Sequence, residues 1–263
     1  MTLSITRQGL VRALTVILAT VVLIGLGIYG YVFHIEPVWY TVERIEIPIP
    51  DLPPEFHNFR IICLSDIHLE PSSDLDYIKR VVKQINGLEP DLACLLGDYV
   101  FSSAEAIADL APVLSEIRAR WGVIGILGNH DLWTSAEIVR SGLEDHDIRV
   151  LVNEHIVLGS EKAPLVLAGL DDGWSGEPSL DQALNGAPVT APVILMLHEP
   201  DFADQMALNG RIHLQLSGHS HGGQVRLPFY GAPFLPEYGR KYDQGLYRVG
   251  EMWLYVTRGI GVI

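Results

Sequence analysis

An α/β fold, with sheets covered by helices, is what this sequence predicts, and three observations predict it. Short apolar runs suited to buried strands recur from Ile61 to Leu216. Segments with apolar residues at helical spacing lie between several of them. The composition, 48% apolar and 19% charged over 263 residues, is that of a globular chain with room for one large or two small domains.

Ahead of that pattern, Ala13 to Phe33 holds no charged residue and is long enough to cross a bilayer as a helix. It lacks the short apolar region and small-residue cleavage site of a removable signal, so it reads as an uncleaved anchor. Arg7 and Arg12 precede it, and Glu36, Glu43, Arg44 and Glu46 follow. The positive-inside rule then puts the N-terminus in the cytoplasm and the main domain outside it. Tyr29, Tyr31, Trp39 and Tyr40 stand where an interfacial aromatic belt would lie. Residues 1–34 are thus the expected transmembrane anchor, 35–57 a juxtamembrane strand and linker, and 58–263 the main domain. The period-two stretch Val42–Ile47 supplies that strand, and Pro48, Pro50, Pro53 and Pro54 the linker.

From Arg60 the elements follow in order. Ile61–Leu64 is a buried strand, and Leu75, Ile78, Val81, Val82 and Ile85 mark a helix that Ser73 would cap and Asn86-Gly87 would end. Leu92–Leu96 is the second strand. Ser102 with Glu105 forms a capping box before a helical region interrupted by Pro112. Val123–Leu127 is the third strand, and Thr134 with Glu137 opens a helix to about Asp145. Strands are expected at Val150–Leu158, Leu165–Leu170, Val193–Leu197 and Ile212–Leu216, with a polar loop over Asp171–Pro178.

Chemistry collects where the strands end. The five relevant strands release Asp66-x-His68, Gly97-Asp98, Gly128-Asn129-His130-Asp131, His198-Glu199 and Gly218-His219-Ser220-His221. The carboxyl ends of strands are where open α/β sheets build their sites. In an extended segment, one residue between His219 and His221 lets both imidazoles face the same way. Polar groups gathered at the ends of apolar strands are costly unless something binds them, and cations would. His68, His198, His219 and His221 with Asp66, Asp98 and Asn129 make a mixed nitrogen and oxygen set without thiolates. Such a set suits Mn²⁺, Fe or Zn²⁺ better than Ca²⁺. Seven donors exceed what one tetrahedral ion needs, so two divalent ions sharing a carboxylate are expected, Mn²⁺ first among them. Cys63 and Cys94 lie in apolar runs and read as small buried hydrophobes, able to meet only if their strands are neighbours. A formal net charge of −14 speaks against a nucleic-acid-binding surface.

These five motifs, in this order, resemble the motif set of the calcineurin-like metallophosphoesterases, over roughly Arg60 to the C-terminus. The Ser-Gly-His-Ser-His-Gly-Gly-Gln form and the apolar N-terminal span look most like a membrane-anchored bacterial branch that includes UDP-2,3-diacylglucosamine hydrolases. The resemblance implies a four-layer αββα sandwich of two mixed sheets. It implies that Asp66, His68 and His221 hold one metal and Asn129, His198 and His219 the other, bridged by Asp98 and a hydroxide that attacks phosphorus. His130 would stabilise the transition state or protonate the leaving oxygen, and Asp131 would orient and polarise it. His213 stands where similar sequences often carry an acid and reads as structural. The chain also stops soon after Gly259-Ile260-Gly261, where similar sequences usually continue.

The expected activity is hydrolysis of a phosphodiester or pyrophosphate, plausibly of a lipid or nucleotide-sugar lipid. The rivals are a nucleotide phosphodiesterase or protein phosphatase on the same site, and a metal-binding scaffold without turnover. Retention of His130 and Asp131, neither needed to hold metal, speaks against the scaffold. The stretch 225–247 is rich in Pro, Phe and Tyr beside Arg226, Arg240 and Lys241. It reads first as a structured surface loop packing on the sandwich, and alternatively as an apolar, basic lip beside the metals that accepts a lipid headgroup or sits at the membrane surface. An extracytoplasmic domain would favour a cell-envelope phospholipid or wall-polymer precursor over a UDP-linked lipid.

Overall fold

Fifteen of the twenty-four residues from Arg7 to Gly30 are apolar, and the segment forms one helix, α1 (Arg7–Gly30). In the computed structural model, which describes residues 6–71, 75–227 and 229–261, the Thr6 side chain caps it by accepting from the Gly9 N–H at 3.2 Å. Thr15 and Thr20 donate their hydroxyls to the carbonyls of Val11 and Val16, so both threonine donors are paired within the helix. The helix runs on through a π turn (Tyr31–Ile35) and a 3₁₀ turn (Glu36–Val38), 32 residues in all, with a mean hydropathy of 2.4 over its most apolar 18 residues. Among the described residues it is one helix long and apolar enough to cross a membrane. Contacts divide the chain into two units, Met1–Arg44 and Ile45–Ile263.

The second unit holds two sheets. Parallel strands β1 (Ile61–Leu64), β2 (Leu92–Leu95), β3 (Val123–Gly125) and β4 (Arg149–Val150) form the first, in that order. The second is mixed: β5 (Glu154–Ser160), β6 (Ala163–Gly169), β7 (Val193–Met196), β8 (Ile212–Ser217), β9 (Gly245–Val249) and β10 (Met252–Val256), ordered β5-β6-β7-β8-β10-β9.

Strand alternation builds the layers. Leu92, Cys94 and Leu96 pack with Leu165, Leu167, Ile194, Met196, Leu214 and Leu216 in one apolar cluster drawn from both sheets. The intervening Val166, Ala168, Val193 and Leu195 join a second cluster with residues of α6 (Leu180–Ala183) and α7 (Ala203–Ala207). Beside the first sheet, α2 (Asp76–Gly87), α3 (Ile107–Leu114) and α5 (Ala136–Glu144) bury Ile78, Val82, Leu110, Val139 and Leu143. The result is two sheets with helices, the layering expected.

Several local expectations are corrected. Val42–Ile47 is not a strand: Ile47 and Ile49 pack on the inter-sheet cluster, but the backbone finds no ladder, and Pro48 and Pro50 lack the donors to make one. The apolar run Val150–Leu158 is two strands in two sheets, since Asn153 takes a left-handed turn (φ 54°) between β4 and β5. Ser103 and Ser135, not Ser102 and Thr134, precede the helical segments. The Ser135 hydroxyl accepts from Ile138 N–H, while Ser102 and Thr134 donate to Glu70 and to the His130 carbonyl. Pro112 sits inside α3 without ending it. Strands β9 and β10 were not anticipated; their alternation is short and follows a proline-rich loop. The expected cap Ser73, and Pro228 in the 225–247 stretch, lie outside the described residues. Cys63 and Cys94 do meet, as register partners across β1 and β2, with both thiols free.

Candidate metal centre

Five strand ends meet at one edge of the two sheets. The turn after β1 carries Asp66 and His68, and it is laced to the turn after β2 by backbone bonds from Asp66 N to Gly97 O, Ile67 N to Asp98 O and Leu69 N to Tyr99 O. The turn after β3 opens a short helix, α4 (Asn129–Thr134), which places Asn129, His130 and Asp131 in its first turn. His198 follows β7, and His219 and His221 follow β8. Gly218 donates its N–H to the His198 carbonyl at 3.0 Å, which joins the last two ends.

The backbone there is held in an uncommon conformation. Asp66, His68, Asp98, His219 and His221 all have left-handed φ, between 51° and 72°. Each such non-glycine residue costs on the order of 1–3 kcal/mol, which persists only where the surroundings enforce it. Gly128 and Gly218 permit the crowding. A Cβ on Gly128 would come within 2.8 Å of Asp98 N and His198 Cε1, and one on Gly218 within 2.5 Å of Asp66 Oδ2.

Three overlapping groups of donor atoms result: Asp66, His68 and His221; His68, Asp98 and His130; and Asp98, His198 and His219. His68 Nε2 and His221 Nε2 are 2.9 Å apart, and Asp66 Oδ1 lies 4.0 and 3.5 Å from them. Asp98 Oδ2 stands between this group and the next, 3.5 Å from His68 Nε2 and 3.1 Å from His198 Nε2. Donor atoms of Asp98, His198 and His219 all lie within 4.8 Å of one another. Asn129 is in the same wall, 2% exposed, and its Oδ1 has no hydrogen-bond partner.

Outer contacts aim these rings. His198 Nδ1 donates to Leu96 O at 2.6 Å, so Nε2 faces Asp98. His219 Nε2 donates to Glu237 O at 2.7 Å, which leaves Nδ1 as its lone-pair atom. Such second partners fix tautomer and orientation in metal-binding histidines. Burial holds His68 and His219 down to about 4, despite nearby Asp98 and Asp66, so both are neutral donors at physiological pH. Burial alone would lower His198 too, but the charges of Asp98 and Asp66 raise it well above the usual range. Asp98 would be raised by burial, yet His198, His68 and His130 hold it low.

The donor set fits divalent cations. Ligands bound about 2.0–2.2 Å from one ion sit roughly 3 Å apart, the spacing seen here between imidazole and carboxylate atoms. An orphaned amide oxygen and facing imidazole nitrogens are costly in a buried site, and a cation relieves both.

His130 is half-buried at the rim. Its Nδ1 donates to Phe101 O at 3.0 Å, which leaves Nε2 free for a ligand, and its ring stacks on Phe101 and touches Trp133 and His68. Asp131 departs from its expected role. Its carboxylate accepts the backbone N–H groups of Asp98, Tyr99, Val100 and Gly128, at 2.8–3.3 Å, so it clamps the β2 turn and has no contact with the His130 ring. The reason is position: as the third residue of α4 it faces the helix's own N-terminus, where amide donors point. Burial and the Asp98 charge push Asp131 up to about 8, against those donors.

Four residues outside the expected ligand set also shape the site. Glu199, fully buried, accepts Gly173 N–H at 2.8 Å and ties the 171–178 loop to the strand end; burial and the adjoining Asp172 raise its carboxyl far above the usual range. Trp174 of that loop packs edge-on to His219 and against Trp133 and Tyr238, so aromatic rings border the cluster from Phe101 round to Tyr238. Ile260 and Gly261 donate to the carbonyls of Ser65 and Asp66 and brace the first turn. Only the Gly-rich spacing of the terminal segment and the isolated Trp174 hinted at this. His213, as expected, is structural: its Nδ1 accepts the Val193 N–H.

Comparison with known proteins points to one family. The model of the calcineurin-like phosphoesterase family matches residues 59–223. The metallophosphoesterase YkuE of Bacillus subtilis is 32% identical over 265 residues, covering 97% of this chain and 91% of that protein. The phosphodiesterase YaeI of Escherichia coli is 30% identical, covering 89% and 86%. A transmembrane protein with a metallophosphoesterase domain from Danio rerio is 35% identical over 93% of this chain, which spans 58% of it. Among solved structures, TT1561 of Thermus thermophilus shares the fold with a TM-score of 0.52 at 16% identity, over 77% of this chain and 90% of that one.

Proposed function

The chain belongs to the calcineurin-like phosphoesterases, a family of metal-dependent hydrolases, and from that premise we propose that it hydrolyses a phosphodiester, or a pyrophosphate, carried by a lipid. The observation that carries the site assignment is Asp98, whose carboxylate stands 3.5 Å from His68 and 3.1 Å from His198 and so adjoins the donor groups of both, with Asn129 Oδ1 unpartnered beside them. Asp66, His68 and His221 would hold one divalent cation, Asn129, His198 and His219 the other, and Asp98 both. The cations, when bound, supply Lewis acidity and a water of lowered pKa. The protein's own part is positional. Leu96 and Glu237 carbonyls orient His198 and His219, and the left-handed turns aim Asp66, Asp98 and His221 into one space. His130 presents Nε2 at the rim, where it can donate to a leaving oxygen. Asp131 acts as a positioning residue, holding the turn that carries Asp98.

The lipid assignment is supported by the anchor helix and by the exposed apolar side chains of Val225, Leu227, Phe229, Tyr230 and Phe234 in the segment that follows His221. We also infer that residues 1–34 are the anchor, 35–57 the linker and 58–263 the catalytic domain, which faces away from the cytoplasm because Arg7 and Arg12 precede the span while Glu36, Glu43 and Glu46 follow it. A reporter fused after Ile263 should read as extracytoplasmic; a cytoplasmic signal reverses the topology and favours a substrate made on that side, such as a UDP-linked lipid.

The deciding experiment strips the detergent-solubilised protein of metal and returns Mn²⁺, Zn²⁺ or Fe²⁺, with Mn²⁺ expected to serve best. Return of metal should raise the unfolding temperature, by an amount equivalent to about 2.7 kcal/mol at a hundredfold excess over Kd. It should also restore hydrolysis of a phosphodiester in preference to a phosphomonoester. Stabilisation without turnover of either ester, or of a phospholipid, would favour the scaffold reading; no stabilisation at all would remove the metal assignment.

A further inference from the structure

We propose that the hairpin around Phe229 is a bilayer-inserting finger that holds the catalytic edge against the membrane surface. The inference rests on the reading of α1 as a membrane span, and it adds a second, independent membrane contact to the catalytic unit.

The hairpin is rooted on the site. Gly222 and Gly223 follow His221 directly, and Arg226 Nη1 donates to Gly222 O at 2.7 Å and pairs with Asp243 at 2.6 Å. A bridge between Leu227 and Gly231, with N–H···O distances of 2.9 and 3.0 Å, closes the tip. Beyond that root the tip is apolar and unsupported. Phe229 is 111% exposed and Phe234 83%, and Val225, Leu227 and Tyr230 are exposed with them. No acidic residue occurs from 222 to 236, in a chain with 32 of them.

Phe229 also has a left-handed φ of 66°. Glycine or asparagine would occupy such a turn position at lower cost, whereas a phenylalanine there projects an aromatic ring outward against both steric preference and the hydrophobic effect. A conformation that costs stability and exposes apolar surface points to an external apolar phase.

A bilayer is the occupant that the chain itself supplies. Tethering through α1 gives the catalytic unit a high effective concentration of membrane, so a weak insertion of two or three rings suffices. The one cation of the tip, Arg226, is paired internally with Asp243, so the contact is hydrophobic and calls for no anionic lipid and little salt sensitivity.

The test uses the full chain in nanodiscs of zwitterionic phosphatidylcholine, with a nitroxide on Phe229→Cys and, as reference, on Val189→Cys, an exposed position elsewhere. Burial pushes the Cys63 thiol up to about 12 and the Cys94 thiol well up too, so neither competes for the label at neutral pH. At position 229, collisions with oxygen should exceed those with a water-soluble nickel chelate, with the order reversed at 189. If both labels meet the chelate alike while the protein stays in the disc, the finger is overturned and the anchor stands. If the protein leaves the disc, both fall. In parallel, the double variant Phe229→Ser, Phe234→Ser should lose about tenfold in rate on a bilayer-embedded phosphodiester and keep its rate on a soluble one. An equal fall on both esters, or an unchanged rate on the embedded one, overturns the finger's role in presenting the site. Failure of the lipid-substrate reading would show as no hydrolysis of the embedded ester by either form, and it leaves the label result to decide the finger.

Discussion

Asp98→Ala is expected to abolish turnover and to cost the protein its second metal equivalent. Asp98 Oδ2 lies between His68 and His198, and Oδ1 accepts the His130 backbone N–H at 2.9 Å, so one side chain serves the donor groups of both histidines and the start of α4. Losing a single fixed electrostatic group at a reacting centre costs ~10²–10³ in rate, and a ligand shared by two ions should exceed that. The variant also leaves His198 and His68 without their counter-charge, so Asp98→Asn accompanies it: the amide oxygen can still accept from His130, but the charge is gone. Metal content and thermal unfolding separate a folded, metal-poor protein from one that fails to fold. Full activity of either variant with one ion retained would end the shared-ligand assignment.

His130→Ala is expected to keep both metals and the fold while losing roughly two to four orders of magnitude in turnover. The ring has a nitrogen within 4.8 Å of an Asp98 carboxylate oxygen. It rests on Phe101, Trp133 and His68 and leaves Nε2 free at the rim, so its removal opens a gap on the substrate side. If it donates a proton to the leaving oxygen, the loss should shrink for esters with acidic leaving groups, which need no proton. An equal loss across leaving groups would assign it to charge stabilisation instead, and an unchanged rate would remove it from the reaction. Asp131 is a different case from the one its sequence position suggested. Its carboxylate accepts from four backbone amides, so Asp131→Asn is expected to act on the rate through the geometry of Asp98 rather than through the imidazole.

The contrast between these two neighbours shows where sequence reading succeeds. Asp66, His68, Asp98, Asn129, His198, His219 and His221 could all be placed at the sheet edge because each lies within five residues of the end of an apolar run. A run of four or five buried residues and the polar group at its end are local features, set by side-chain polarity and strand period. The apolar span before Glu36 was legible for the same reason. Helix α2 was found from its stripe of Ile78, Val81, Val82 and Ile85, which a 3.6-residue period alone produces.

What only the tertiary structure decided is non-local. The run Val150–Leu158 contains nothing that assigns its halves to different sheets; that depends on Arg149–Val150 finding β3 and Glu154–Ser160 finding β6. The insertion of β10 between β8 and β9 is likewise a pairing choice among distant segments. The partner of a buried carboxylate is decided by whichever donors the fold brings to it, which is why Asp131 could be located but its role could not. The polarity pattern of the chain therefore determined which residues would reach the sheet edge, and packing determined what each touches there, because the cost of burying a polar group is a property of its surroundings rather than of its neighbours in sequence.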